Sequence, residues 1–263
     1  MSELKIVVCA KQVPNTQEVK LDQATGRLMR EGVPSIMNPD DKSALEAALR
    51  LKDEHGAKVT VVTMGPPQAE DILREALAMG ADEAVLITDR AFGGSDTLAT
   101  SSILAGALRK LDYDLILTGR QAIDGDTAQV GPQIAEHLGI VNISYAEDIK
   151  LEGDSIIVKR QYEDRYHIIK AKLPCLVTAL TELCEPRYMT PGGIFDSYRK
   201  AQITTFGRAD IDVADGDIGL TGSPTQVAKS FTKELKGKGV IVNLDAAESA
   251  DFLLEKLQEK FLI

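Results

Sequence analysis

Apolar runs of four to six residues recur at 6–10, 59–64, 84–87 and 115–118, with a weaker one at 141–144, and segments of helical period follow them. Within 42–52, for instance, Ala44, Leu45, Ala48, Leu49 and Leu51 make one apolar stripe. A strand that is apolar along its whole length must be covered on both faces, and strands that alternate with helices are joined by crossovers. The pattern therefore predicts an α/β chain with a doubly wound, mainly parallel sheet. Helix ends carry matching signals. Asn38-Pro39-Asp40-Asp41 offers an N-cap side chain, a proline in the first turn and two carboxylates at the positive end of a helix. Gly56, Gly80 and Gly139 stand where helices should end.

Beyond residue 144 the pattern turns to antiparallel signals: 148–151, a turn at 152–154, then 155–162, 166–172 and 175–180, read as an extension of one sheet edge. From 190 to about 238 no period is sustained, and a loop of that length is foreign to a compact domain. It reads as an arm lying on another chain. Order then returns, with a short strand expected at 239–243 and an amphipathic helix over 245–261. Asp245 and Glu248 make a capping box there, and Leu253, Leu254, Leu257 and Phe261 line one face. The division expected is a nucleotide-binding α/β domain over 1–188 and a partner-embracing C-terminal arm with a terminal helix over 189–263.

Charge and composition exclude several functions. The 263 residues carry 30 Lys+Arg against 40 Asp+Glu, a net charge of -10, with no basic block, so no nucleic-acid partner is expected. No stretch approaches the roughly 18 apolar residues of a membrane span. The first five residues lead directly into the apolar run 6–10, which is too short for the apolar core of a secretion signal, so the expected location is cytoplasmic. Cys9, Cys175 and Cys184 are scattered, as are the three histidines, and neither a disulfide framework nor a metal site is signalled. No Walker sequence, no GxGxxG after the first strand, no Ser/His/Asp order and no HExxH is present. No catalytic residue is nominated.

In open parallel sheets ligands bind beyond the carboxyl ends of the strands. After the fourth strand comes Gly119-Arg-Gln-Ala-Ile-Asp-Gly-Asp-Thr-Ala-Gln-Val-Gly-Pro132, in which Gly119, Gly125 and Gly131 allow close backbone approach to a phosphate at a helix start. Asp124 and Asp126 repel an anion. They fit only as helix caps or as partners of a ribose hydroxyl, with Thr127, Gln129 and main-chain amides on the phosphate oxygens. An ordinary capped βα loop is the plain alternative. The third strand runs into 88–101, where Arg90 and Phe92 could reach a ligand and Ser95, Asp96 and Thr97 open a helix. Its Gly-Gly-Ser-Asp-Thr string is similar to the pyrophosphatase loop of ATP-cleaving enzymes, but that motif follows a first strand. The tight loop at 63–67 could flank an adenine, and Lys11 could steer anions.

Several strings, in order along essentially the whole chain, resemble the beta subunit of electron transfer flavoprotein: Cys9-Ala-Lys-Gln-Val-Pro14, Met37-Asn-Pro-Asp-Asp41, Ala76-Leu-Ala-Met-Gly-Ala-Asp82, Gly119-Arg-Gln-Ala-Ile-Asp124, Lys172-Leu-Pro174 and Glu185-Pro-Arg-Tyr188. The resemblance implies an adenine-nucleotide alpha-hydrolase-like fold and a heterodimer with a larger alpha subunit. By position, Cys9, Ala10, Asn38, Asp41, Thr63, Met64, Gly119, Gln121, Asp124, Gly125, Asp126, Thr127, Ala128, Gln129 and Val130 would surround a nucleotide. In some members that ligand is a structural AMP. In others it is an FAD that takes electrons from NADH and divides them between ferredoxin or flavodoxin and, through the alpha-subunit FAD, a partner flavin dehydrogenase of acyl-CoA or hydroxy-acid type. The loop 88–101 is similar to this electron-bifurcating branch, which adds Arg90, Asp96 and Thr97 to the cofactor-binding set. The leading expectation is thus an FAD-binding, electron-bifurcating beta subunit; the alternatives are an AMP-binding electron carrier and, more remotely, a stand-alone adenine-nucleotide-binding regulatory or hydrolytic protein. Two departures bear on the dehydrogenase partner. Cys184 replaces the usual Asn before Glu185-Pro-Arg-Tyr188, and the apolar leucine anchor after Tyr188 is missing, leaving Met189, Ile194 or Phe195 for that contact.

Overall fold

A computed structural model describes residues 3–15, 20–21, 28–29, 34–225 and 239–263. In chain order its elements are β1 (Lys5–Cys9), β2 (Gln12–Pro14), β3 (Lys20–Leu21), β4 (Leu28–Met29), β5 (Ser35–Met37), α1 (Pro39–His55), β6 (Lys58–Met64), α2 (Glu70–Met79), β7 (Glu83–Ile87), α3 (Thr97–Leu108), β8 (Leu115–Gly119), α4 (Val130–Leu138), β9 (Val141–Glu152), β10 (Ser155–Gln161), β11 (Tyr166–Lys172), β12 (Cys175–Ala179), α5 (Pro191–Arg199), β13 (Ile203–Phe206) and α6 (Ala246–Glu259). Nine strands form one sheet in the order β11-β10-β9-β12-β8-β1-β6-β7-β13.

The sheet is covered on both faces, as its continuous apolar strands require. Ile6 and Val8 of β1 join one buried cluster with Leu45, Leu49 and Leu73 of α1 and α2. Val7 and Cys9 face the opposite way, into a cluster with Ile103, Leu104 and Ile134 of α3 and α4. From β1 the chain steps to β6 and outward to β7, then returns through α3 to β8 on the other side of β1. The direction of winding therefore reverses between β1 and β8, and their carboxyl ends frame the crevice where such sheets bind ligands.

The antiparallel extension is present but is arranged differently from the sequence pattern. The weak run at 141–144 and the run at 148–151 are halves of one twelve-residue strand, β9, which pairs parallel with β12 through Ala146 and antiparallel with β10 from Ala146 onward. Tyr145 takes φ 61° at the changeover and donates its amide to Thr178 Oγ1 at 3.1 Å. β12 is parallel to both β8 and β9, not antiparallel. All five of its residues are buried, the signature of a central strand rather than of a hairpin arm.

Asn38 precedes α1 as expected, with Pro39 in the first turn, but its side chain makes no cap bond and is spent elsewhere. Gly56 and Gly139 close α1 and α4 in the left-handed conformation. The stretch after 190 holds α5, packed on α2, and β13, the outer strand beside β7; residues 226–238 of the expected arm lie outside the described residues. The chain divides into two compact units, 1–227 and 228–263. In the second, α6 carries the predicted capping box of Asp245 and Glu248. Residues 239–243 are not a strand: Val240 and Ile241 stand exposed with no strand beside them to pair with among the described residues. Leu253, Leu254, Leu257 and Phe261 are all exposed.

Candidate functional site

Beyond the ends of β1 and β8 the structure has a cleft of about 350 Å³, within the range of small-molecule sites. Its floor is apolar, with Cys9 at the end of β1 and Ala10 after it, Val62 and Met64 of β6, Leu104 of α3 and Val130 and Ile134 of α4. Polar groups stand around it: Lys11, Asp41, Ser95, Asp96, Thr97, Thr100, Thr118, Arg120, Gln121 and Thr127.

Two side chains at the start of α1 assemble the rim. Asp41 Oδ2 accepts from the Lys11 amide and Oδ1 from the Gly119 amide, both at 2.8 Å, which ties the exits of β1 and β8 together. Asn38 donates through Nδ2 to the Gln121 carbonyl at 2.8 Å and accepts through Oδ1 from the Ile123 amide at 3.0 Å. It holds the 119–129 loop from beneath instead of capping its own helix. Burial pushes the Asp41 carboxyl up to about 7, against the lowering effect of its amide donors and Asn38. The Cys9 thiol is lifted to about 12 by burial and by the neighbouring Asp41.

Neither aspartate of the 119–129 loop caps α4. That helix starts at Val130 behind Gln129 with no side-chain cap, Asp124 pairs with Lys11 Nζ at 2.8 Å, and Asp126 accepts from Gln121 Nε2 at 2.9 Å. The absence of a cap has a consequence. Among the described residues nothing accepts from the amides of Thr127, Ala128 and Gln129, so donors and the positive end of α4 are left free beside the cleft. Asp126 and Ala128 hold φ of 49° and 52°, unusual for residues with a Cβ, and turn the chain there. Arg120 Nε is also buried without a hydrogen-bond partner, 3.7 Å from Asp40 Oδ2. Free amides and a guanidinium make a donor set for phosphate oxygens, which fits an adenine nucleotide on the apolar floor.

The glycines divide differently from expectation. Of the three in this loop, only Gly125 leaves open space at its Cβ position. A Cβ on Gly119 would press into Asp41, and one on Gly131 would lie 2.7 Å from Thr118 Oγ1, so those two serve packing within the protein. At the start of α3, Asp96 caps the helix by accepting from the amides of Leu98 and Ala99. The α3 terminus is thereby closed by its own carboxylate. Thr97 Oγ1 donates to Gln129 Oε1 at 3.0 Å and bridges the two helix starts.

Of the residues singled out from sequence, Cys9, Ala10, Asp41, Met64, Asp96, Thr97, Gly119, Gln121, Gly125, Thr127 and Val130 line the cleft. Asn38, Asp124, Asp126 and Gln129 hold the lining from behind, and Ala128 lies between. Thr63 is buried below with its hydroxyl unpartnered, and Arg90 is exposed on a short helical turn outside the lining. Arg120 falls inside the loop read from sequence as phosphate-binding, whereas sequence reasoning passed over Thr100 and Leu104. The last two follow Thr97 at helical spacing, a signal that could have placed them on the same face.

Comparison with known proteins turns this geometry into an assignment. Residues 25–215 match the electron transfer flavoprotein domain. The electron transfer flavoprotein subunit beta of Clostridium acetobutylicum is 55% identical over 260 residues, covering 99% of this chain and 100% of that protein. The chain belongs to the electron transfer flavoprotein beta-subunit family. Another relative is the caffeyl-CoA reductase-Etf complex subunit CarD of Acetobacterium woodii, 56% identical over 263 residues, with 99% of this chain and 100% of CarD covered. A third is the acryloyl-CoA reductase electron transfer subunit gamma of Anaerotignum propionicum, 49% identical over 267 residues, again across 99% of this chain and 100% of the relative. Membership in the electron transfer flavoproteins implies a nucleotide-type cofactor and an alpha-subunit partner. No helix of the described residues is long and apolar enough to cross a membrane.

Proposed function

We propose that this chain is the small subunit of a cytoplasmic, electron-bifurcating electron transfer flavoprotein and that its cleft holds the adenosine-phosphate part of an FAD. When bound, that FAD would accept a hydride from NADH and pass single electrons onward, to ferredoxin or flavodoxin and, by way of the alpha subunit, to a partner dehydrogenase. The observation that carries the reading is the uncapped start of α4 beside an apolar floor at the switch point of the sheet. The chain's own residues bind and orient. The 127–129 amides and Arg120 face phosphate, Lys11 adds charge while pinned by Asp124, and Cys9, Val62 and Met64 exclude water from the base. The loop 88–101 supports the bifurcating form over a plain carrier, and its Arg90 is an exposed cation. The names of the CoA-reductase relatives favour a reductase acting on a CoA thioester as the partner system.

One observation favours a second reading. A cleft of about 350 Å³ is at the small end for a ligand site, a size that suits a single nucleoside phosphate such as a structural AMP better than a whole dinucleotide. Denaturing the purified heterodimer and counting released nucleotides by chromatography separates the two. Two FAD per heterodimer is the expected result; one FAD with one AMP overturns the bifurcating reading in favour of the carrier.

A further inference from the structure

Asp96 stands where the cleft wall meets the segment that leads out of the first unit. Its Oδ1 accepts from the amides of Leu98 at 3.0 Å and Ala99 at 3.1 Å. Its Oδ2 accepts from the amide of Thr225 at 3.0 Å and from the Thr225 hydroxyl at 2.8 Å. An ionised carboxylate offers about four lone-pair sites, so the protein itself uses all of them. Burial raises the Asp96 carboxyl, but the Ala99, Thr225 and Leu98 donors outweigh it and hold the group below the usual carboxylate range. It therefore remains an acceptor at neutral pH.

The segment 219–225 is fitted closely over the turn that carries Asp96. The Asp96 amide donates to Ser223 Oγ at 2.8 Å, Ser223 Oγ donates to the Gly219 carbonyl at 2.7 Å, and the Gly219 amide donates to Ser95 Oγ at 3.1 Å. A Cβ on Gly94 would sit 2.6 Å from Leu220 Cδ2. This strap ends at Thr225, three residues before the chain passes into its second unit. The same turn presents Ser95, Asp96 and Thr97 to the cleft.

We propose that Thr225 and a pair of adjacent hydroxyls on the bound nucleotide compete for Asp96 Oδ2, so that loading the cleft loosens the strap. The inference rests on the reading that the cleft holds a nucleotide. A ribose or ribityl chain carries vicinal O–H donors, chemically equivalent to the Thr225 hydroxyl. The Oδ1 side is closed to them, because its two amides belong to the first turn of α3 and have no other acceptor. The Oδ2 side can be exchanged. Thr225 is exposed, so water takes up its amide and hydroxyl when they leave, while the carboxylate keeps full pairing through the ligand. Linkage makes the effect reciprocal: what favours the released strap strengthens nucleotide binding by the same factor. Occupancy of the cleft thus governs how firmly the 219–225 strap is anchored on the turn that carries Asp96.

The test uses the complete heterodimer, stripped of nucleotide and reloaded with AMP, 2′,3′-dideoxy-AMP or FAD, with affinity read by calorimetry and amide exchange followed over 219–225. AMP or FAD is expected to speed exchange there about fivefold or more, and the dideoxy analogue to bind without doing so. Thr225→Val, which removes only the competing hydroxyl, should bind AMP about two- to fivefold more tightly and show a smaller exchange response; Thr225→Ser should restore both. Binding of AMP with exchange unchanged or slowed, or Thr225→Val binding no more tightly, overturns the competition and leaves the nucleotide reading standing. Absence of binding by all three nucleotides overturns both.

Discussion

Asp41 is a buried carboxylate with an architectural task. Its two oxygens receive the amides of Lys11 and Gly119, so the exits of two adjacent strands hang on one side chain. Its folded pKa of about 7 lies above the ordinary aspartate value of 3.8, which fixes the sign of its pH effect. Between about pH 4 and 7 the folded chain holds a proton that the unfolded chain has released, so this group's contribution to stability falls as pH rises through that window and is constant above it. Urea unfolding at several pH values should show wild type losing more stability across the window than Asp41→Asn. Near pH 4 the variant should be weaker by about 1–3 kcal/mol, since its NH₂ faces an amide that needs an acceptor, and the gap should close as pH rises toward 7. Equal slopes for the two proteins would refute this. Cys9 gives a second expectation at the same scale. With its thiol at about 12, almost no thiolate forms near neutral pH, so iodoacetamide should leave Cys9 unmodified in the native protein and label it only after unfolding. Mass spectrometry showing rapid native labelling would contradict the burial that causes the shift. Asn38 and Asp41 were both legible in sequence as important. Their roles were not, because a side chain that tethers a loop 83 or 78 positions away leaves no local trace.

At the scale of elements, close approaches decide where helices sit. Gly106 lies in α3, where alanine is ordinarily worth about 1 kcal/mol more than glycine. Here a Cβ would collide with Val213 and come within 3.3 Å of the Asp212 carbonyl. Gly106→Ala should therefore destabilise, by about 1–3 kcal/mol for overpacking, measured by thermal or urea unfolding. A stabilised variant would mean that the 208–225 segment does not press on α3. Gly131 is the parallel case in α4, where an added methyl would lie 2.7 Å from Thr118 Oγ1 and 2.9 Å from Thr178 Cγ2. Gly131→Ala should push the helix start away from the strand ends and displace the free amides of 127–129. Loss of nucleotide affinity on the order of tenfold is expected by calorimetry, the scale of one misplaced charge-assisted hydrogen bond. Unchanged affinity would detach those amides from phosphate binding. Elements also record where local pattern ran out. β12 is buried along its whole length as a central parallel strand is, yet it follows two hairpin strands in sequence, and neighbours in the chain made it look antiparallel.

For the whole molecule, the distribution of exposed apolar groups is informative. Leu253, Leu254, Phe261, Leu262 and Ile263 are each at least half exposed, and so are Val240 and Ile241. On α5 and just before it, Tyr188, Phe195 and Tyr198 are exposed as well. A monomer rarely leaves so much apolar surface to water. Expressed alone, the chain should aggregate, and co-expression with an alpha subunit should recover soluble heterodimer, with light scattering as the measure. A stable, soluble monomer would argue against partner embrace by residues 228–263.

The sequence by itself determined the α/β architecture, the direction of most strands, the helix-end glycines, the capping box of α6 and the loops that reach the cleft. These follow from short-range causes: burial on two faces, helical period, and the conformational freedom of glycine. Tertiary structure alone decided that β9 serves two neighbours, that β13 completes the sheet, that Asp124 and Asp126 bind side chains instead of capping α4, and that Asp96, at the cleft wall, is held by Thr225. Each of those depends on which distant residue arrives opposite a given donor or acceptor. That is set by the packing of the sheet, and no periodicity within a window of sequence encodes it.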